Sequence, residues 1–321
     1  RDLGLWKDDF VAPFKRITDF IRQHGAVPGL QLGHSGRKAR RSVPWEGRAP
    51  LADVPGVDHG EEWELIAPSA VAFNSKYAVP REMLHDDIQE AVSNWGQAAR
   101  RANEAGFDVL ELHAAHGYLM HQFLSPVSNR RTDQYGGRFE NRVRFPTEVV
   151  REVRKYWPDH KPLFLRVSAV DEVGWTVEDS AAVARVLKEH GVDVIDCSSG
   201  GMSDASTGDH PPSYGYQVPY ARHVRKHADI KTMAVGLIVH ADQAEEVVAS
   251  GGADLVALGR ELLHNPNWPI DAAQKLGVET PFSGVNKSLA YWLQKRADGR
   301  GGIKPSTWQR GLSGTMGDTA R

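Results

Sequence analysis

The 321-residue sequence has a single cysteine, Cys197. That excludes an intramolecular disulfide and fits a reducing compartment, so a cytoplasmic location is expected. Charge of one sign is also lacking. The 39 basic and 41 acidic side chains leave a net charge of −2, so no basic field draws the chain to nucleic acid or a membrane surface. No apolar run approaches the roughly 20 residues of a membrane-spanning helix. No signal peptide is visible, although the chain opens on Arg1 rather than Met.

What is there is an ordinary soluble composition. Apolar residues make up 40% and charged residues 25%, enough to bury a sizeable core. The length suits one large barrel domain or two ordinary ones.

A helix is expected from Asp8 or Asp9 through Gln23, with Phe10, Val11, Phe14, Ile17, Phe20 and Ile21 on one face. A short buried strand follows over residues 27–32, ending in Gln31, Gly33 and His34. Residues 34–68 form a long polar run holding Trp45 and Trp63, read as an ordered excursion over the strand ends. Strands are then expected near 108, 163–170, 192–198, 231–237 and 254–258. Helices are expected over 86–105, 138–157, 176–190, 218–228 and 241–249, with a last segment over 261–276 interrupted by Pro266 and Pro269.

This alternation argues a parallel sheet with right-handed crossovers. Periodicity alone also fits a doubly wound sheet. Polar groups spread over many strand ends favour a barrel, whose chemistry sits at the carboxyl ends of its strands. Six strand–helix units are visible where eight are needed. The expected fold is therefore α/β, a (β/α)8 TIM barrel over residues 1–280 lacking its first two units, with a partly flexible tail over 281–321.

The chemistry concentrates in one stretch, DVLELHAAHGYLMHQFLSPVSNRRTDQYGGRFENRVRF, residues 108–145. Val109, Leu110 and Leu112 suit a buried strand, and Glu111, His113, His116 and Tyr118 follow at its carboxyl end. Two neutral imidazoles there can donate hydrogen bonds to a substrate oxygen, and a nearby phenol can deliver a proton. Two other readings stand beside this one. The histidines also fit a zinc pair, although no third ligand lies at metal spacing, so no metal is expected. They also fit structural histidines with satisfied partners.

The run His113-Ala-Ala-His116-Gly-Tyr118, followed by SNRRTDQYGGRFENRVRF, resembles the signature of the old yellow enzyme family of FMN-dependent ene-reductases, in its bacterial, xenobiotic-reductase-like branch. The likeness runs from Leu3 to about Leu293. It implies FMN as cofactor, NAD(P)H as reductant in the same pocket, and reduction of the activated C=C bond of an α,β-unsaturated carbonyl compound. His113 and His116 would hold the carbonyl oxygen, flavin N5 would give hydride to Cβ, and Tyr118 would give the proton to Cα. Gln31 would pair with the pyrimidine edge of the flavin, and Arg166 would stabilise negative charge near N1 and O2. A barrel-mouth salt bridge is the other role open to Arg166. Gly236, Gly259 and Arg260, after the last two strands, would cradle the phosphate, although glycines there also simply permit turns.

The cluster His34-Ser35-Gly36-Arg37-Lys38 resembles the family motif after the third barrel strand, and also reads as a solvated loop. Trp308-Gln309-Arg310-Gly311 resembles a tail motif whose Arg310 would reach the rim of a neighbour's site, so a homodimer or homotetramer is expected. Three rival readings remain. Iron–sulfur dienoyl-CoA reductase relatives need several cysteines, and Cys197 is alone. A non-flavin aldolase or epimerase barrel would use the phosphate site for a sugar phosphate, and the aldolase version is weakened because this chain has no central strand-end lysine for a Schiff base. An incomplete barrel without catalytic activity is the third.

Overall fold

The structure is a computed structural model that describes residues 3–47, 49–51, 64–205 and 213–298. Its centre is one six-stranded parallel sheet. In chain order the strands are β1 (Gly29–Leu32), then a small separate pair β2 (Ile66–Ala67) and β3 (Arg81–Glu82), then β4 (Val109–Ala114), β5 (Leu163–Ser168), β6 (Val194–Ser198), β7 (Lys231–Ala234) and β8 (Leu255–Val256). The large sheet runs β1-β4-β5-β6-β7-β8, each strand beside the next one used by the chain. The alternation predicts a parallel sheet and the polar strand ends a barrel, and the six parallel strands with helices between them form a curled part of a TIM barrel.

The helices are α1 (Val11–Gln23), α2 (His85–Glu104), α3 (Leu119–Leu124), α4 (Phe139–Arg142), α5 (Arg144–Arg154), α6 (Val177–Lys188), α7 (Val218–Ala228), α8 (Ala241–Ala249), α9 (Arg260–His264), α10 (Trp268–Lys275) and α11 (Lys287–Asp298). Thr176 caps α6 by accepting from the Asp179 N–H, while the Asp179 carboxylate accepts from the Thr176 N–H. This reciprocal box fixes where that helix starts. Among the described residues no helix is long and apolar enough to cross a membrane.

Strand periodicity decides which side chains meet. Successive residues on a strand point to opposite faces. Leu110, Leu112, Leu163, Leu165 and Ile195 therefore pack under the helices, against Ile88, Val149, Val153 and Val183, and all are fully buried or nearly so. Each such side chain contributes about 1.5–3 kcal/mol, which makes this layer the frame of the fold. The intervening residues share the opposite face. Register places Gln31 beside Glu111, His113 beside Arg166, and Arg166 beside Asp196.

Several boundaries differ from expectation for local reasons. The helix expected over 138–157 breaks at Val143. Pro146 has no N–H to offer the Arg142 carbonyl, so the hydrogen-bond ladder is interrupted there. The interruption at Pro266 is real, but Pro269 sits in the first turn of α10, where a missing N–H costs nothing. In α1 the buried stripe is Phe14 and Thr18, and Ile17 and Phe20 face outward. Trp45 is 80% exposed and anchors nothing, and Trp63 lies outside the described residues. The excursion after β1 is held instead by Arg37. Its guanidinium is buried and donates to the carbonyls of Val71, Ala72 and Met202. In the tail expected from residue 281, α11 has no buried residue.

Candidate active site

His113 is the next-to-last residue of β4, and its ring lies on the polar face of the sheet. It is 6% exposed, and neither ring nitrogen has a hydrogen-bond partner in the chain. Its centroid is 5.1 Å from the His116 ring and 4.9 Å from the Tyr118 ring. The three side chains singled out at this strand end thus form one cluster. Burial, aided by the nearby Arg166 charge, pushes the His113 imidazole down to about 4. Burial and then the neighbouring His113 push His116 down to about 3. Both rings are neutral at pH 7 and keep an N–H to donate.

The loop that presents them is built by its neighbours. His116 has a left-handed backbone with φ of 55°, an unusual conformation for a residue with a side chain. Its N–H donates to Ser168 Oγ at 2.8 Å, and Ser168 Oγ donates to the Gly200 carbonyl. Its Nε2 lies 2.8 Å from Ser198 Oγ, which also accepts from Gln217. Its carbonyl oxygen accepts from Lys38 Nζ at 2.9 Å, and the same ammonium reaches the Gly201 carbonyl at 2.9 Å. Lys38 also lies over the Phe73 ring, 4.3 Å from its centroid.

A second brace lies under the loop. The Gly117 N–H donates to His121 Nδ1 at 3.0 Å, which leaves the His121 proton on Nε2. That nitrogen faces Asp171 Oδ2 at 3.4 Å, and both side chains are closed off from solvent. Gln122 donates to the carbonyls of Ser35 and Gly117 and accepts from the Arg37 N–H, which ties the loop after β1 to the loop after β4. The cluster 34–38 is therefore part of the wall of the site and not a solvated loop.

The polar run after the histidines is also structural. Asn129 is buried and donates to the carbonyls of Phe123 and Tyr135. Arg131 donates to the carbonyls of Pro68 and Met83. These residues hold the excursion and the helices together.

Arg166, beside His113, makes the salt bridge that its sequence position left open, with Nη1 2.9 Å from Asp196 Oδ2. Its Nε is buried without a partner. Gln31 donates to Glu111 Oε1 at 2.5 Å. Gly236 follows β7 with φ of 111°, and Gly259 follows β8 as the residue before α9, with Arg260 exposed as that helix's first residue. A Cβ at Gly259 would meet only open space. Arg310 lies outside the described residues. Among the described residues no three His, Cys, Asp or Glu side chains come together as a metal site.

The sequence reading missed Ser168, Ser198, His121, Asp171, Gln122 and Asp196. Strand register brings the serines and Asp196 to the site, and only their alternation with apolar neighbours could have pointed to them.

Comparison with known proteins agrees with this arrangement. Residues 1–279 match the model of the NADH:flavin oxidoreductase / NADH oxidase family. A curated relative, the NADPH dehydrogenase of Geobacillus thermodenitrificans strain NG80-2, is 48% identical over 280 residues, which is 87% of this chain and 75% of that protein. Morphinone reductase in complex with tetrahydroNAD superposes with a TM-score of 0.65 at 28% identity, over 85% of this chain and 72% of that one. A 2-naphthoyl-CoA reductase reaches a TM-score of 0.72 at 25% identity over 84% of this chain, although the chain spans only 41% of its length. The chain belongs to the NADH:flavin oxidoreductase / NADH oxidase family, the old yellow enzyme family to which its His-Ala-Ala-His-Gly-Tyr motif is similar, and is an NAD(P)H-dependent flavin oxidoreductase that uses FMN.

Proposed function

We propose that this protein reduces the activated C=C bond of α,β-unsaturated carbonyl compounds, with His113 and His116 binding the carbonyl oxygen and Tyr118 supplying the proton. The observation that carries this reading is the His113 ring, buried and neutral, with both nitrogens lacking a partner in the chain. A buried donor with nothing to bind costs about 1–3 kcal/mol, an imbalance that a substrate oxygen relieves.

The residues fit FMN on the same kind of observation. Arg166 Nε is a buried orphan donor, and the space beside Gly259 is open. Gln31 and Arg166 would hold the pyrimidine edge, while Gly236, Gly259 and Arg260 would hold the phosphate. When bound, FMN supplies hydride chemistry that no side chain can. The chain's own part is to polarise, orient and protonate. Donors from His113 and His116 stabilise the negative charge that builds on the carbonyl oxygen in an enolate-like transition state. The Tyr118 phenol transfers its proton to Cα. The locked loop of His116 keeps these groups in place before substrate arrives, so little reorganisation is needed.

The partners in this reading are a small enone or related electrophile and a second copy of the chain in a homodimer or homotetramer, with Arg310 at the neighbour's rim and the enzyme in the cytoplasm. The test is anaerobic. NADPH or NADH should bleach the flavin, and 2-cyclohexenone should restore its absorbance. Tyr118→Phe should slow the restoring step by about 10²–10⁴-fold. An unchanged restoring rate removes Tyr118 as donor, and no restoration by any enone removes the substrate class.

A further inference from the structure

Behind the histidines, four polar side chains on one face of the sheet form a stepped row of two register pairs, Gln31 with Glu111 and, two residues further along, Arg166 with Asp196. Gln31 comes from β1, Glu111 from β4, Arg166 from β5 and Asp196 from β6. Gln31 Nε2 donates to Glu111 Oε1 at 2.5 Å. Arg166 Nη1 lies 2.9 Å from Asp196 Oδ2. The two carboxyls are within hydrogen-bonding reach of each other. Asp196 is fully buried; Arg166 faces its Oδ2, while Asp196 Oδ1 and Glu111 Oε2 have no hydrogen bond from the chain.

The other groups around the pair do not supply a second positive charge. His113, on the same face of β4, is neutral. Met233, beside Asp196 on β7, carries no charge. Among the described residues Arg166 is the one cation acting on either acid.

Two carboxylates and one guanidinium would leave a net negative charge around the fully buried Asp196. Removing that charge from water costs several kcal/mol, which a single proton avoids. One proton between the acids also satisfies oxygens that otherwise have no partner, and the Gln31 donor marks Glu111 Oε1 as an acceptor, leaving Oε2 for the shared bond.

We infer that Glu111 and Asp196 hold one proton between them at neutral pH and serve as the positioning pair behind Arg166, so that the row is neutral and the guanidinium keeps a fixed edge toward the flavin. Burial raises both acids above the usual carboxylate range, in the direction this arrangement requires. The function assigned to the pair rests on the flavin reading. The shared proton removes the second negative charge, so one counter-charge instead of two opposes Arg166 in favouring negative charge on a reduced flavin. Neither acid touches the substrate; each acts through Arg166 or Gln31.

The proton is tested on the chain without cofactor, independently of that reading. At pH 7 exposed carboxyls are ionised. Infrared spectra should nevertheless show a protonated-carboxyl band that shifts on exchange into deuterated water. The band should vanish in Glu111→Gln and in Asp196→Asn, because each amide takes the place of the neutral acid and leaves its partner ionised. No band in the wild-type chain overturns the inference, and the wild type alone decides this if a variant fails to fold. A band that persists in either variant overturns the sharing. With FMN bound, potentiometry tests the role. Either single variant should change the relative affinity for reduced over oxidised flavin by less than about threefold, a shift of ~15 mV. The double variant leaves Arg166 without a counter-charge and should raise that ratio by at least about tenfold, ~30 mV toward positive potential. Equal steps from the two single variants, adding up in the double, would mean two ionised acids and would overturn the pair. Failure of the wild type to bind FMN would leave the infrared result standing and remove the flavin reading instead.

Discussion

The carbonyl oxygen of Gly201 occupies the space that a Cβ on Gly117 would need, and a Cβ on Gly201 would in turn lie 2.7 Å from the Cα of His116. The loop after β4 and the loop after β6 cross here with only backbone between them. Both glycines have positive φ, 69° and 89°, so sterics and dihedral preference demand glycine at both positions. This crossing fixes the height of His116 above the sheet.

Gly117→Ala and Gly201→Ala are therefore expected to cost at least about 1 kcal/mol each in unfolding free energy, from strain at positive φ alone. Urea melts measure this. A variant as stable as wild type would show that the loops can separate.

Lys38 clamps the same crossing from above by bridging the carbonyls of His116 and Gly201. Lys38→Met retains the length of the side chain and loses the ammonium. It is expected to weaken binding of a para-substituted phenol, whose oxygen the proposed site would hold between the histidines, by about tenfold, or ~1.4 kcal/mol. Unchanged phenol affinity would show that the clamp does not hold His116 in place.

The pH dependence has a definite sign. In the folded chain His113 sits at about 4 and His116 at about 3, while in the unfolded chain both lie near 6.5. Between pH 6.5 and 4 the unfolded chain binds protons that the folded chain does not, so each histidine lowers stability as pH falls, by up to about 1.4 kcal/mol per pH unit. His113→Asn should flatten that slope relative to wild type. Nitrogen NMR should find both rings neutral at pH 6. A charged ring at pH 6 would remove the neutral donor from the account.

Much of this site is legible in the sequence because it follows a strand. Val109, Leu110 and Leu112 announce β4, and the polar residues after it mark the strand's active end. The motif around His113, His116 and Tyr118 and the isolated Arg166 were visible for the same reason. Lys38 was visible only as part of a motif, because nothing local shows that it crosses to the loop after β4. Ser168, Ser198 and Asp196 were hidden for another reason. Each is an ordinary small polar residue in an apolar strand; parallel register aligns Asp196 with Arg166 and Ser168 with Ser198, and the loop after β4 brings His116 onto the two serines. The break at Val143 was written in Pro146, but the amphipathic pattern on both sides of it masked the interruption.

Arg260, exposed as the first residue of α9, is expected to contribute to phosphate binding. Arg260→Ala should weaken FMN binding by about tenfold or more, given the strength of charge-assisted hydrogen bonds. Fluorescence titration of apoprotein measures it. An equal affinity would take Arg260 out of the phosphate site.

Arg310 and the tail carry the expectation of a shared site. Tyr291 and Trp292 on α11 are 56% and 68% exposed, large apolar faces that gain by burial. Deletion of residues 299–321 should raise the Michaelis constant for an enone and reduce the mass found by sedimentation. If turnover, Michaelis constant and mass are all unchanged, Arg310 serves no neighbour.

The most direct test of the His113 and His116 oxygen site is the long-wavelength absorbance of the FMN-loaded protein during titration with a para-substituted phenol. The account predicts a charge-transfer band that saturates in the wild type and is lost in His113→Asn while the flavin stays bound. A band of equal strength in both proteins, or stoichiometric zinc in place of a phenol response, would contradict it.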